Sequence, residues 1–254
     1  MRLKAIIAYD GTEYYGWQIQ RIEPTIQSML ENCLEHVCKH PVGIQGAGRT
    51  DSGVHAYAQV AHFDWDHVLP PEKLILAMNA LLPPDIRVLQ LNEVDPKFHS
   101  RFDAQSKSYL YRINRDRFAS PFEMRYSLHY SYPLDHSLLA KCASLIEGEH
   151  DFAAFQATGA DVVSTIRKVQ SAQILSMSDA TGSYLCMRIQ ANGFLRKMVR
   201  FLVGTMLEIS GGKRELKDLQ LALESGDRRY TGVPAAAHGL FLEKVYYTEE
   251  KSSV

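Results

Sequence analysis

Apolar residues in this chain spell one order of elements twice: strand, helix, strand, strand, helix, strand. Residues 3–9, Leu-Lys-Ala-Ile-Ile-Ala-Tyr, read as a buried strand that ends in the turn Asp10-Gly11. Pro24-Thr25 opens a helix with Thr25 as its N-cap. Ile26, Met29, Leu30, Cys33, Leu34 and Val37 then recur at the spacing of one buried face. Strands are predicted at 42–47 and 56–64, around a glycine-rich loop. Pro70-Pro71 starts a helix from Glu72 to Leu81, stopped by Pro83-Pro84, and Ile86 to Val94 is a further strand.

The order then repeats. Ser108 to Ile113 alternates as a strand, and a helix around Leu138–Ile146 shows Leu138, Leu139, Cys142, Leu145 and Ile146 on one side. Strands at about 166–176 and 184–191 flank a turn at Asp179-Ala-Thr-Gly-Ser183. Phe194 to Ile209 reads as a helix closed by Gly211-Gly212, and an added helix, Glu215–Leu223, precedes a last strand, Leu240 to Tyr247. The expectation is an α+β protein of two ferredoxin-like βαββαβ halves, 1–103 and 104–254, the second with an inserted helix. They would form an extended, mostly antiparallel sheet with helices on one face and a cleft between the halves. The tail, 249–254, reads as frayed.

A content of 46% hydrophobic residues suits a globular chain. The start, Met-Arg-Leu-Lys-Ala-Ile-Ile-Ala-Tyr-Asp, holds an apolar run too short for a signal segment or a membrane span, which predicts a cytoplasmic protein with no membrane partner. Cys33, Cys38, Cys142 and Cys186 form no CxxC pair and no zinc-like spacing, so they read as core thiols and no metal is expected. A net charge of -1 does not advertise nucleic acid, but the distribution is uneven. Residues 1–103 carry 9 basic and 13 acidic side chains, and 104–254 carry 19 and 16, so a polyanion would lean on the second half.

The glycine-rich loop is Gly46-Ala-Gly-Arg-Thr-Asp-Ser-Gly-Val-His55. It lacks the lysine of a phosphate-binding loop, does not extend to GxGxxG and contains no GxSxG elbow. On an extended segment, residues i and i+2 face one side, so Arg49 and Asp51 would address one ligand. A tight turn with a solvated aspartate accounts for the same residues. In the helix at 194–209, Arg196 and Arg200 lie four apart beside Gly204, on an element rich in Leu, Met and Val. A buried arginine there would need a carboxylate, whereas a solvated helix edge would not. Tyr109, Tyr111 and Arg112 open a stretch in which arginines alternate with Phe118, Phe122 and Tyr126, a mixture that suits phosphate contact and base stacking as well as plain strand packing.

Together these blocks resemble the tRNA pseudouridine synthase A family. The resemblance runs through Tyr9-Asp-Gly, Gly16-Trp-Gln, Thr25-Ile-Gln, the Gly46–Ala56 loop, Asn79-Ala-Leu-Leu-Pro83, Phe98-His-Ser-Arg-Phe102, Tyr109-Leu-Tyr111, Gly148-Glu-His-Asp-Phe152, Phe194 to Arg200 and Gly239-Leu-Phe-Leu242. It implies a homodimer that needs no cofactor and turns uridine into pseudouridine at positions 38, 39 and 40 of the tRNA anticodon arm. It implies further that Asp51 is the catalytic aspartate, acting as nucleophile or base. Arg49 would hold the target nucleotide out of its stack, Tyr109 would pack on the uracil, and Arg200 would pair with the aspartate. Tyr14, Gln18, Lys107 and Arg112 join Arg49 as expected RNA contacts. Lys107 departs mildly from the pattern, standing where many relatives have arginine. Two alternatives stay open: an RNA-binding module without catalysis, which leaves Asp51 no task, and a carboxylate-dependent hydrolase, which lacks a second acid at a matching position.

Overall fold

A computed structural model describes residues 1–21, 24–66, 68–159 and 163–248; the tail expected to fray lies outside the described residues. The chain divides into two compact units, Met1–Lys107 with the segment from Phe241 onward, and Ser108–Leu240.

In the first unit, β1 (Arg2–Tyr9) buries Leu3, Ala5, Ile7 and Tyr9 and leaves the alternate residues partly exposed. That phase puts the apolar side chains on one sheet face. Helix α1 (Ile26–Cys38) follows, then β2 (Gln45–Gly46), β3 (His55–Asp64), α2 (Pro71–Leu81) and β4 (Ile86–Val94). The strand order is β4-β1-β3 with β2 on the outer edge of β3, and every one of these pairings is antiparallel. This is the ferredoxin-like arrangement expected for the half. Thr25 caps α1 in a box with Ser28, and Pro71 sits in the first turn of α2. The two helices touch through the Cys33 thiol, 3.7 Å from the Met78 carbonyl. All four cysteines are free and buried, as read from the sequence.

The strand expected at 42–47 shrinks to Gln45–Gly46. The backbone of Ile44 is already taken: its N–H donates to Glu31 Oε1 at 3.0 Å, and its carbonyl accepts from Gln27 Nε2 at 3.1 Å. Both partners stand on α1, so no ladder bond is left for Ile44 to make.

The last strand (Leu240–Tyr247) has the predicted bounds but a different allegiance. Phe241 and Leu242 pair in parallel with His55 and Ala56 on β3, and the Phe241 ring stacks on His55 and Tyr57 at 4.7 Å each. Tyr247 Oη donates to the Ser100 carbonyl at 2.7 Å. Residues 104–107 also go with the first unit. The division read at 103/104 therefore differs from the packing, because parallel pairing recruits a strand from the far end of the chain.

The second unit takes most of β5 (Ala104–Asn114), then β6 (Leu128–His129), α3 (His136–Ile146), β7 (Gly148–Asp151), β8 (Ile166–Asp179), β9 (Gly182–Ala191), α4 (Met198–Ser210) and α5 (Leu216–Ser225). Its sheet runs β5-β9-β8-β7, with β6 alongside β5. The β8–β9 hairpin turns through Gly182 at φ +152°, and both β7·β8 and β8·β9 are antiparallel. Helix α4 starts at Met198 rather than Phe194. The Arg196 carbonyl accepts from Ala157 N–H at 3.0 Å and Lys197 sits at φ +63°, so the helical ladder begins with Phe201 N–H on Lys197 O. Arg196 is thus outside the helix and exposed, and the helical face it was expected to share with Arg200 does not exist.

Candidate active site

The loop between Gly46 and His55 is built into the first unit and held from two sides. On one side Ala47 N–H donates to Val60 O at 2.7 Å, Gln59 Nε2 to Gly48 O at 2.9 Å, and the Lys107 ammonium to Ala47 O at 2.6 Å. On the other, Trp17 N–H donates to Thr50 O at 3.1 Å, while Gly53 N–H and Ser52 Oγ donate to Tyr14 O at 3.3 and 3.2 Å. A further bond, Val54 N–H to Asp51 O at 3.1 Å, closes the turn before β3.

So close a crossing of two segments requires glycine. A Cβ on Gly16, which sits at φ +86°, would stand 2.4 Å from Thr50 O, and one on Gly46 would enter the Trp17 indole at 2.6 Å. Gly16 and Gly46 thus let the 14–17 segment lie directly on the loop.

Exposure alternates inside the loop: Arg49 is exposed, Thr50 is 7% exposed, and Asp51 is half-buried. Thr50 turns inward to Tyr9, whose hydroxyl lies 2.9 Å from Thr50 Oγ1. Burial pushes the Tyr9 phenol up to about 12, against weaker opposing pulls from its Thr50 and Gln59 hydrogen bonds, so it stays protonated. Beyond the loop, buried His55 accepts from Gly11 N–H at Nδ1 (3.0 Å), and Asp10 Oδ1 lies 3.0 Å from the same nitrogen. A bare Nδ1 accepts from Gly11, whereas an Nδ1 that carries its hydrogen donates to Asp10.

Other expected contacts in this unit take structural parts. Gln18 is exposed; its Oε1 accepts from Arg49 Nε at 3.1 Å and its Nε2 donates to Gln27 at 2.8 Å, so it steers Arg49. Tyr14, expected at the RNA, is 6% exposed and donates its hydroxyl to Asp85 at 2.7 Å. Its ring is held inward by that bond, while its carbonyl accepts from Gly53 and Ser52. Lys107 is half-buried on the loop backbone rather than extended into solvent.

In the second unit, Tyr109 is 6% exposed and meets the Phe194 ring edge-on at 4.9 Å. Arg200, half-buried on α4, donates from Nε to Ala235 O at 2.7 Å, while Ala235 N–H returns a bond to Arg200 O at 2.9 Å. The segment 232–235 can cross α4 there because Gly204 has no Cβ; one would lie 1.8 Å from Val233 O. His238 is harder to protonate than an ordinary histidine, first through burial and then through the Arg200 charge. Arg112 does not extend into solvent: it bonds Glu123 at 3.0 Å and lies 4.5 Å over the Tyr184 ring. The alternation of arginines and aromatics read as an RNA surface is here partly internal packing.

Thr50, Tyr9, Trp17 and Gln59 form the scaffold that sequence reasoning did not single out. Tyr9 had a signal, since it falls in the buried phase of β1, and Trp17 had another, an indole beside a glycine.

Among the described residues no helix is long and apolar enough to cross a membrane. A family model described as tRNA pseudouridine synthase matches residues 5–103 and 142–248. A tRNA pseudouridine synthase A from Lacticaseibacillus casei (strain BL23) is 40% identical over 245 residues, 96% of this chain and 98% of the relative. One from Geobacillus sp. (strain WCH70) is 41% identical over 247 residues, covering 97% and 98%, and one from Thermoanaerobacter sp. (strain X514) is 41% identical over 242 residues, covering 95% and 98%. Agreement at this level, spanning both units and the loop that presents Arg49 and Asp51, settles the kinship: the chain belongs to the tRNA pseudouridine synthase family.

Proposed function

We propose that this chain isomerises uridine to pseudouridine in tRNA, at positions 38, 39 and 40 of the anticodon arm, with Asp51 as the acting carboxylate. The observation that carries the reading is the loop itself. An exposed Arg49 and a half-buried Asp51 stand on a backbone clamped on both sides, inside a chain that matches tRNA pseudouridine synthase A relatives along nearly their whole length. The reaction breaks the bond from C1′ to N1 of the uracil, turns the base and joins C1′ to C5; the C5 proton leaves and N1 gains one. It is redox-neutral and needs no cofactor. The target base must first leave its stack, and an exposed arginine beside the carboxylate suits the displaced nucleotide. An ionised aspartate then serves as nucleophile or as base. Tyr109, as cover for the uracil, and Arg200, as partner of the carboxylate, enter from the motif correspondence.

The experiment is pseudouridine formation on a tRNA transcript, read by carbodiimide labelling and mapped by position. Wild type should label in the anticodon arm, and Asp51→Asn should bind tRNA while forming no product. An Asp51→Asn enzyme with near-normal turnover would sink the assignment; labelling elsewhere in the tRNA would sink the positional part alone. The reading includes a cytoplasmic homodimer, so sedimentation equilibrium should give twice the chain mass, and a species of 28.7 kDa would overturn that element.

A further inference from the structure

Thr50 separates Arg49 from Asp51, and its side chain is buried. Three contacts fix it. Its carbonyl accepts from Trp17 N–H at 3.1 Å, Gly16 closes over that carbonyl with no room for a Cβ, and its hydroxyl meets the Tyr9 phenol at 2.9 Å in a fully buried bond. Tyr9 is itself immobilised: it is 4% exposed, its ring lies 6.2 Å from that of Trp17, and it stands on the paired strand β1. Asp51 follows Thr50 directly and its carbonyl closes the turn to Val54, so a rotation that freed Thr50 would displace Asp51 with it. A buried hydroxyl denied its partner is costly, so each of the two holds the other in its rotamer.

We propose that Tyr9 and Thr50 are positioning residues, whose buried hydroxyl pair sets the placement of Arg49 and Asp51 on either side of it. The inference rests on the proposed function and deepens it: the chemistry at Asp51 depends on a phenol that the substrate does not touch. Gln59 reaches both ends of this arrangement: it bonds the Gly48 carbonyl and also hydrogen-bonds the Tyr9 phenol.

The test uses the full chain with Tyr9→Phe, Thr50→Val, the double variant, and Thr50→Ser, which keeps the hydroxyl. Pseudouridine formation at saturating tRNA, KM, and melting temperature are measured for each. Loosening the support of a reacting group by a fraction of an ångström is expected to slow kcat about tenfold or more in Tyr9→Phe and Thr50→Val, with KM changed less than about twofold. The double variant should be no slower than the slower single, since the Tyr9–Thr50 bond is already absent from each, and Thr50→Ser should stay within about threefold of wild type. Unchanged kcat in the two single variants, a loss confined to KM, or a loss that disappears when the assay is run far below each variant's melting temperature would overturn the proposal. Should Tyr9→Phe fail to fold, Thr50→Val against Thr50→Ser carries the test alone, and equal rates overturn it. A wild-type chain that makes no pseudouridine refutes the proposed function instead, which keeps the two failures distinct.

Discussion

The Lys107 ammonium lies 2.6 Å from the carbonyl oxygen of Ala47, and a Cβ on Gly48 would come within 3.2 Å of it. A cation at a position suited to phosphate contact is thus tied to the backbone of the loop that presents Arg49 and Asp51. Replacing it with methionine keeps the stem and leaves the Ala47 carbonyl without that donor. Lys107→Met should lower stability by about 1–2 kcal/mol, the cost of losing a charged hydrogen bond from a half-buried donor to the backbone of buried Ala47, and should slow turnover. Its tRNA affinity should keep the wild-type dependence on salt. A shallower slope, by about one unit for one lost phosphate contact, would mark Lys107 as an RNA contact instead.

Acid should weaken the first unit through His62. The ring is 4% exposed, and its pKa falls from 6.5 to about 4, first through burial and then through the neighbouring charges of His99 and Arg2. Ser100 N–H also donates to Nδ1 at 3.1 Å, so a proton placed there would face a donor. The folded state therefore binds a proton less readily than the unfolded chain. This contribution is fully present above about pH 6.5, declines as pH falls, and is lost by about pH 4. Urea midpoints from pH 8 to pH 4 should show that decline, and His62→Gln should flatten it. An equally steep decline in the variant would place the titration elsewhere.

Much of the fold was legible because its signals are local. The phase of β1, the Thr25 cap, the proline that opens α2 and the bounds of the last strand all come from neighbours along the chain. What was not legible depends on bonds between distant residues. Ile44 loses its place in a strand to two side chains of α1, Arg196 leaves its helix because Ala157 claims its carbonyl, and the last strand belongs with β3 through Phe241. The site follows the same rule. The step from exposed Arg49 to buried Thr50 is a property of adjacent residues and lies within reach of a sequence pattern. Tyr14 was not legible, because its ring direction is set by Asp85, far along the sequence.

Gly16 joins this long-range set to backbone strain. It holds φ +86°, and a Cβ would meet the Thr50 carbonyl at 2.4 Å. Gly16→Ala should cost about 2–4 kcal/mol, combining a left-handed conformation with overpacking against a backbone that is itself hydrogen-bonded. Gly43→Ala is the control, since a Cβ there meets nothing within 4 Å. Denaturant melts of the two variants check this; equal midpoints would show that segment 14–17 does not need to lie on the loop.

The last prediction concerns Arg112, which sequence reading placed on the RNA. Its guanidinium bonds Glu123 at 3.0 Å and covers the Tyr184 ring, with the two charged side chains only 17% and 12% exposed. Removing the arginine alone strands a carboxylate in a largely dry setting, so Arg112→Met should destabilise the chain by about 3 kcal/mol. Replacing both, as Arg112→Met with Glu123→Gln, removes the stranded charge and should recover most of that loss, a coupling a thermodynamic cycle measures directly. The double variant also separates structure from RNA contact. With stability restored, its tRNA affinity should match wild type at every salt concentration. A double variant that folds well yet binds tRNA with a shallower salt dependence would return Arg112 to the RNA surface and make its pairing with Glu123 a resting arrangement that substrate displaces.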